Sequence, residues 1–179
     1  MKLNIMISGT GGQGIVAAGS FLSHALFAAG YEVMFSRSYG AEARGGSCKA
    51  VIMVSDEPIN DLQFEESDVL MCLSYPAYVK YLPMARKGSL VLVDSQVYER
   101  AGSPRGDVKV VSVPARELAL SLGDQIVANM VLLGALARLS DVVSLQLLSE
   151  AVDSHMRESM REINQRALRL GYEAVLDPP

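Results

Sequence analysis

The chain opens with an apolar stretch, Leu3 to Ile7, followed at once by Gly9-Thr10-Gly11-Gly12-Gln13-Gly14 and then by apolar residues at helical spacing. A buried strand, a side-chain-poor turn and the first turn of a helix form the context a G-x-G-x-x-G match requires. The glycines decide what such a turn can do. Gly9 and Gly11 are expected at positive φ, bringing backbone N–H groups close to an anion, and Gly14 at a close helix-to-strand contact. A helix beginning near Gln13 would add its unpaired amides and dipole in favour of a phosphate. The same turn also serves as a tight crossover without a ligand, and the residues leave both uses open.

The opening pattern is that of a βαβ unit. Val16, Leu22, Leu26 and Ala29 mark the buried helix face, and Gly30 the C-terminal cap. Tyr31, Val33 and Phe35 alternate as a second strand, Ala50 to Val54 forms a third, and Asp56-Glu57-Pro58 signals the turn after it. Val69 to Leu73 is a fourth strand. Ser74 as N-cap and Pro76 in the first turn start a helix predicted to run to Gly88, ahead of strands at Leu90 to Val93 and Val108 to Val113. From Pro114 onward the pattern is helical, with two helices expected between Arg116 and Leu139 and one or two between Ser144 and Leu170. These readings predict a Rossmann-like three-layer α/β domain over residues 1–179, with a mainly parallel sheet and a helical C-terminal third.

Composition removes several function classes. A net charge of -4 and a pI near 5.2 provide no basic field for nucleic acid. Cys48 and Cys72 stand far apart without C-x-x-C spacing, so this chain alone assembles neither an iron–sulfur cluster nor a zinc site, and both are expected as small buried hydrophobes. No run approaches the length of a membrane span and the N-terminus has no secretory pattern, so the chain is expected to stay in the cytoplasm. Met6, Met34, Met53, Met71 and Met84 read as core filler, Arg157, Glu158, Arg161 and Glu162 as a solvated helix face, and His24 and His155 as isolated residues without a role.

A nicotinamide site needs an acidic side chain near the end of the second strand. Glu32 lies 18 residues beyond Gly14 but at that strand's start, and the end carries Ser36-Arg37-Ser38. Arg37 keeps an NADP site open. The segment Ser38 to Gly46 is a second candidate, because Arg44 beside Gly45 and Gly46 can pair two oxygens of an anion while the glycines let amides approach, with Glu42 orienting the guanidinium. An exposed turn with a weak Glu42–Arg44 pair is the alternative. Both segments should leave the C-terminal ends of neighbouring strands and face one crevice. Asn129, among apolar Met130, Leu132 and Leu133, needs hydrogen-bond partners within the fold or across an interface.

The glycine loop and the Glu42-Ala43-Arg44-Gly45-Gly46 core, with Asp56-Glu57-Pro58-Ile59, Gly88 to Asp94, Asn129-Met130, Leu133-Gly134-Ala135 and Asn164 to Tyr172, make the chain resemble the gamma subunit, or gamma domain, of the 2-oxoacid:ferredoxin oxidoreductases over nearly its full length. The resemblance implies a subunit of a complex that oxidatively decarboxylates a 2-oxoacid with coenzyme A, giving acyl-CoA, carbon dioxide and reduced ferredoxin. Thiamine diphosphate, its Mg ion and the iron–sulfur clusters would sit on thiamine-binding alpha and beta subunits and a ferredoxin-like delta subunit. The sequence agrees, since Gly123-Asp124 is followed by Gln125 and not by the third residue of a thiamine-site G-D-G. No catalytic or metal-ligating residue is assigned to this chain. Coenzyme A contact would fall to Gly9, Gly11, Gly12, Gln13, Gly14, Arg44, Gly45 and Gly46, with Glu42 and Asn129 in orienting or interface roles; subunit contact is the competing role. For the isolated chain the resemblance implies a homodimer formed through the surfaces meant for its partner subunits. Outside this reading stand the beta-type subunit of an indolepyruvate:ferredoxin oxidoreductase, a free-standing NADP- or nucleotide-binding protein, and a pure scaffold.

Overall fold

The computed structural model describes residues 1–40 and 46–176. Glu42, Arg44 and Gly45 lie outside the described residues. Six strands form one sheet: β1 (Lys2–Thr10), β2 (Glu32–Tyr39), β3 (Ser47–Ser55), β4 (Ser67–Cys72), β5 (Ala85–Asp94) and β6 (Lys109–Val113), in the order β2-β3-β1-β4-β5-β6. The helices are α1 (Ile15–Ala28), α2 (Tyr75–Tyr81), α3 (Ser95–Ala101), α4 (Ala115–Ser121), α5 (Ala128–Leu139), α6 (Leu145–His155) and α7 (Glu158–Glu173). Helices α1 and α4–α7 cover one face over a core that includes Ile5, Ile7, Ile52, Met71 and Leu132. Helices α2 and α3 cover the other, over Met6, Leu70, Val91 and Val93. The expected three-layer α/β architecture with a mainly parallel sheet is therefore present, and no strand follows β6 among the described residues. None of the described helices is long and apolar enough to cross a membrane.

One expectation changes in kind. A simple βαβ unit would put β2 beside β1, but β3 lies between them and runs antiparallel to both, from Lys2↔Ser55 to Thr10↔Ser47 on one side and from Glu32↔Ser55 to Tyr39↔Cys48 on the other. The unit is split because β2 turns back directly into β3, and that hairpin takes the edge of β1. The ends of β1 and β2 are consequently separated by β3 and are not neighbours, yet Thr10, Tyr39 and Ser47 lie at the same end of the sheet.

Other differences are local. The helix after Ser74 ends at Tyr81 and not at Gly88, because Pro83 has no N–H with which to extend it; a 3-10 turn, Leu82–Met84, leads directly into β5. Helix α3, absent from the pattern reading, begins where buried Asp94 accepts from Gln96 N at 3.2 Å. Helix α1 starts at Ile15 and not near Gln13, so its buried face is Ile15, Ala18, Leu22, Ala25 and Leu26, leaving Val16 half-buried and Ala29 exposed. Met6, Met53 and Met71 are core residues, whereas Met34 and Met84 are half-buried. Cys48 and Cys72 are buried free thiols, and burial pushes Cys72 up to about 12, so it is a packing residue and not a nucleophile.

His24 and His155 are not isolated. Their rings stack between α1 and α6 with centroids 3.7 Å apart and planes within 12°. Desolvation and, second, the neighbouring His155 hold His24 below its usual 6.5.

The C-terminal third packs through backbone contact. A Cβ on Gly134 of α5 would overlap the Leu168 carbonyl of α7, and one on Gly171 of α7 would overlap the Val131 carbonyl of α5. Each glycine thus makes room for the other helix's backbone, which explains the Leu133-Gly134-Ala135 and Leu170-Gly171-Tyr172 segments. Replacing either by alanine should destabilise the chain by about 2–3 kcal/mol in urea unfolding, the upper range of overpacking costs. A second expectation concerns acid. The depressed folded-state pKa of His24 means that the unfolded chain takes up protons first as pH falls, so stability is lost below about pH 6.5. In His155→Gln, the loss of unfolding midpoint between about pH 7 and pH 5 should be smaller than in the unchanged chain.

Candidate functional site

The chain turns back in opposite directions on either side of β1 and β4: from β1 it passes over one face to β2, and from β4 over the other face to β5. In an open α/β sheet the crevice at such a switch point, beyond the carboxyl ends of the strands, is where ligands sit. Here it is a cleft of about 360 Å³ lined by Thr10, Gly11, Gly12, Gln13, Leu73, Arg116, Gln125, Ile126 and Ala128. The lining is mixed: Thr10, Gln13, Gln125 and Arg116 contribute polar groups, and Leu73, Ile126 and Ala128 apolar ones.

The loop is held from several directions. Gln13 folds back so that its Oε1 accepts from Thr10 N at 2.8 Å and its Nε2 donates to the Leu73 carbonyl at 3.1 Å, tying the end of β1 to the end of β4. Gly9 is required for that fold, since a Cβ there would lie 2.5 Å from Gln13 Oε1 and 2.7 Å from Ile15 Cδ1. Gln13 is therefore a brace with both ends of its amide engaged, not a free ligand-binding group. Gly11 N donates to Gly46 O at 3.4 Å, which brings the described end of the second segment to the first.

Positive φ occurs at Gly12 (89°) and Gly14 (69°), not at Gly9 and Gly11 as expected. Gly9 is still inside β1, where its role is space, and the reversal is made one turn later. Gly14 is the left-handed N-cap of α1, and its carbonyl accepts from Ala18 N at 2.9 Å and from Asn129 Nδ2 at 2.9 Å. Asn129 is 6% exposed, and this bond is the partner its burial demanded. A Cβ on Gly14 would lie 2.5 Å from Asn129 Nδ2, so conformation and contact both require glycine.

Pattern reading missed Arg116. Its Nη2 donates to the Leu73 carbonyl at 2.6 Å, and its Nε lies 3.9 Å from Asp94 Oδ2. Asp94, fully buried, also accepts from Arg116 N at 2.9 Å. The signal available was Asp94 at a strand end and an arginine two residues after Pro114, neither of which identifies the partner.

Arg37 is excluded from the glycine loop by topology. It sits within β2, with all of β3 between it and β1, roughly 10 Å at the usual strand spacing. A dinucleotide needs the ribose-binding side chain on the strand beside the loop. Among the described residues, no group of three or more His, Cys, Asp or Glu side chains is placed to hold a metal ion.

The fold has counterparts among known proteins. The family model described as pyruvate ferredoxin/flavodoxin oxidoreductase matches residues 4–174. The chain belongs to that family. It is 40% identical over 179 residues to the 2-oxoglutarate synthase subunit KorC of Methanocaldococcus jannaschii, covering 98% of this chain and 95% of that one. The keto/oxoacid ferredoxin oxidoreductase gamma subunit of Geobacter sulfurreducens superposes with a TM-score of 0.86 at 32% identity, covering 97% and 96% of the two chains. The 2-oxoglutarate:ferredoxin oxidoreductase of Magnetococcus marinus, solved with 2-oxoglutarate, coenzyme A and succinyl-CoA bound, gives a TM-score of 0.83 at 26% identity, with 99% of this chain covering 32% of that one. The gamma-subunit resemblance of the sequence is thereby borne out: the chain is a gamma subunit of a 2-oxoacid:ferredoxin oxidoreductase.

The Asn129–Gly14 link makes a specific expectation for the family fold. Asn129→Ala removes the donor to a carbonyl at the helix start and should cost about 1–2 kcal/mol in chemical denaturation, while Gly14→Ala, which adds a left-handed strain and a clash, should cost more.

Proposed function

We propose that the chain is the gamma subunit of a 2-oxoglutarate:ferredoxin oxidoreductase, working beside thiamine-binding alpha and beta subunits and a ferredoxin-like delta subunit that carry thiamine diphosphate, Mg and the iron–sulfur clusters. Its own part is to hold coenzyme A. The loop Gly9 to Gly14 and the segment with Arg44, Gly45 and Gly46 approach the phosphates, with Glu42 orienting Arg44, and the exposed Ile126 side chain in the cleft suits the uncharged arm of the same molecule.

The observation that carries the substrate assignment is end-to-end similarity to 2-oxoglutarate synthase KorC subunits, at 40% identity in Methanocaldococcus jannaschii. The indolepyruvate alternative has weaker support, since the IorB subunits of Archaeoglobus fulgidus and Pyrococcus horikoshii share 24% and 26% of aligned residues. Coenzyme A contact is supported by chemistry: the exposed glycines Gly11 and Gly12 let a ligand approach the backbone beside a guanidinium-bearing cleft, which suits a pyrophosphate.

Gly11 offers a clean test, because its φ is not left-handed and no atom of the described residues would lie within 4 Å of a Cβ at that position. Gly11→Glu should therefore leave the fold intact while placing a carboxylate at the cleft. In the assembled complex it should raise KM for coenzyme A about tenfold or more, with KM for 2-oxoglutarate unchanged. An unchanged KM for coenzyme A would remove the ligand role and leave subunit contact. Preference for indolepyruvate over 2-oxoglutarate in the same assay would overturn the substrate assignment.

A further inference from the structure

We propose that Arg116 is the residue that fixes the anionic group of the cleft's ligand, a phosphate ester or pyrophosphate, with Asp94 as its positioning residue. The ligand's identity rests on the coenzyme A reading above; its charge does not.

Three observations carry this. Arg116 lines the same cleft as Thr10, Gly11 and Gly12, and among the described residues the lining contains no carboxylate. The guanidinium is already clamped. Nη2 is committed to the Leu73 carbonyl at 2.6 Å and the backbone N to Asp94 Oδ1 at 2.9 Å, so much of the rotamer entropy an arginine loses on gripping a ligand is lost in the free protein. The side chain remains 31% exposed, which leaves part of the fork facing the cleft.

Asp94 pairs with that charge only at the outer limit of ion-pair distance and makes no hydrogen bond to it. Its carboxylate is fully buried and accepts from two backbone amides, Gln96 N at 3.2 Å and Arg116 N at 2.9 Å, at the starts of α3 and α4. The nearest guanidinium nitrogen is 3.9 Å away, beyond hydrogen-bond distance. Asp94 therefore satisfies two helix starts and sets the base of the Arg116 side chain, while the guanidinium's remaining donors are directed elsewhere. The anchor at Leu73 is shared with Gln13 Nε2, so the brace of the glycine loop and the arginine hang from one carbonyl at the end of β4. That common anchor places the cation and the loop amides in fixed relation without either touching the other.

The test uses the full chain and sodium pyrophosphate as probe, by titration calorimetry at low ionic strength, together with coenzyme A kinetics of the assembled complex. The unchanged chain should bind pyrophosphate. Arg116→Gln should weaken binding about tenfold to a hundredfold, the range for a charge-assisted hydrogen bond, and Arg116→Lys, which keeps charge without the fork, should fall between. Arg116→Lys also serves if the glutamine variant fails to fold. In the complex, Arg116→Gln should raise KM for coenzyme A and leave kcat nearly unchanged.

Equal pyrophosphate affinity in the unchanged, Lys and Gln chains would overturn the inference, as would no binding by the unchanged chain. Loss of pyrophosphate binding in Arg116→Gln with an unaltered KM for coenzyme A would uphold Arg116 as the anion ligand and reject coenzyme A as the occupant. A KM raised by Gly11→Glu, with pyrophosphate binding indifferent to Arg116, would do the reverse.

Discussion

The turn from β1 into α1 is secured by side-chain bonds to its backbone groups, and the cleft takes its shape from them. Gln13 joins Thr10 N to the Leu73 carbonyl, and Asn129, 115 residues away from Gly14, caps its carbonyl. Such groups buried without partners would each cost on the order of 1–3 kcal/mol. Satisfying them with amide side chains keeps the loop narrow, because a residue with a Cβ at Gly9 or Gly14 would collide with Gln13 or Asn129 themselves. The glycines and the two amides are one device.

The antiparallel strand β3 has consequences well beyond its own hydrogen bonds. By occupying the edge of β1 it moves β2, with Glu32 and Arg37, one strand out from the glycine loop. A G-x-G-x-x-G loop read as a dinucleotide fingerprint then lacks the adjacent strand end that would hold a ribose. The same insertion brings Gly46, at the end of the second candidate segment, within hydrogen-bond distance of Gly11. Loss of one ligand chemistry and convergence of the two loops are effects of a single topological choice.

The far side of the cleft depends on the C-terminal helices. Asn129 reaches Gly14 because α5 is buried nearly all round, pressed on α7 through Gly134 and Gly171 at backbone contact. Helix α7 has no role at the cleft, yet it sets where α5 lies. Ser74, Asp94, Asp124 and Ser144 start their helices or turns by accepting backbone amides, which explains why so many of the boundaries sit at short polar residues.

What the amino-acid sequence determined by itself was local or compositional. The strand-loop-helix opening, all six strands as apolar or alternating runs bounded by turn residues, the helical last third and the absence of cluster-binding cysteine spacing are all properties of short windows, and so were readable. The two glycine-bearing segments and their spacing sufficed to indicate the family. Tertiary structure alone decided which strand neighbours β1, that His24 meets His155, that Asn129 serves Gly14, and that Arg116 belongs to the cleft. Each of these joins residues far apart in the chain, and hydrophobic period and turn propensity report on neighbours in the chain, whereas pairing across the sheet and helix-to-helix approach are settled by which surfaces bury one another.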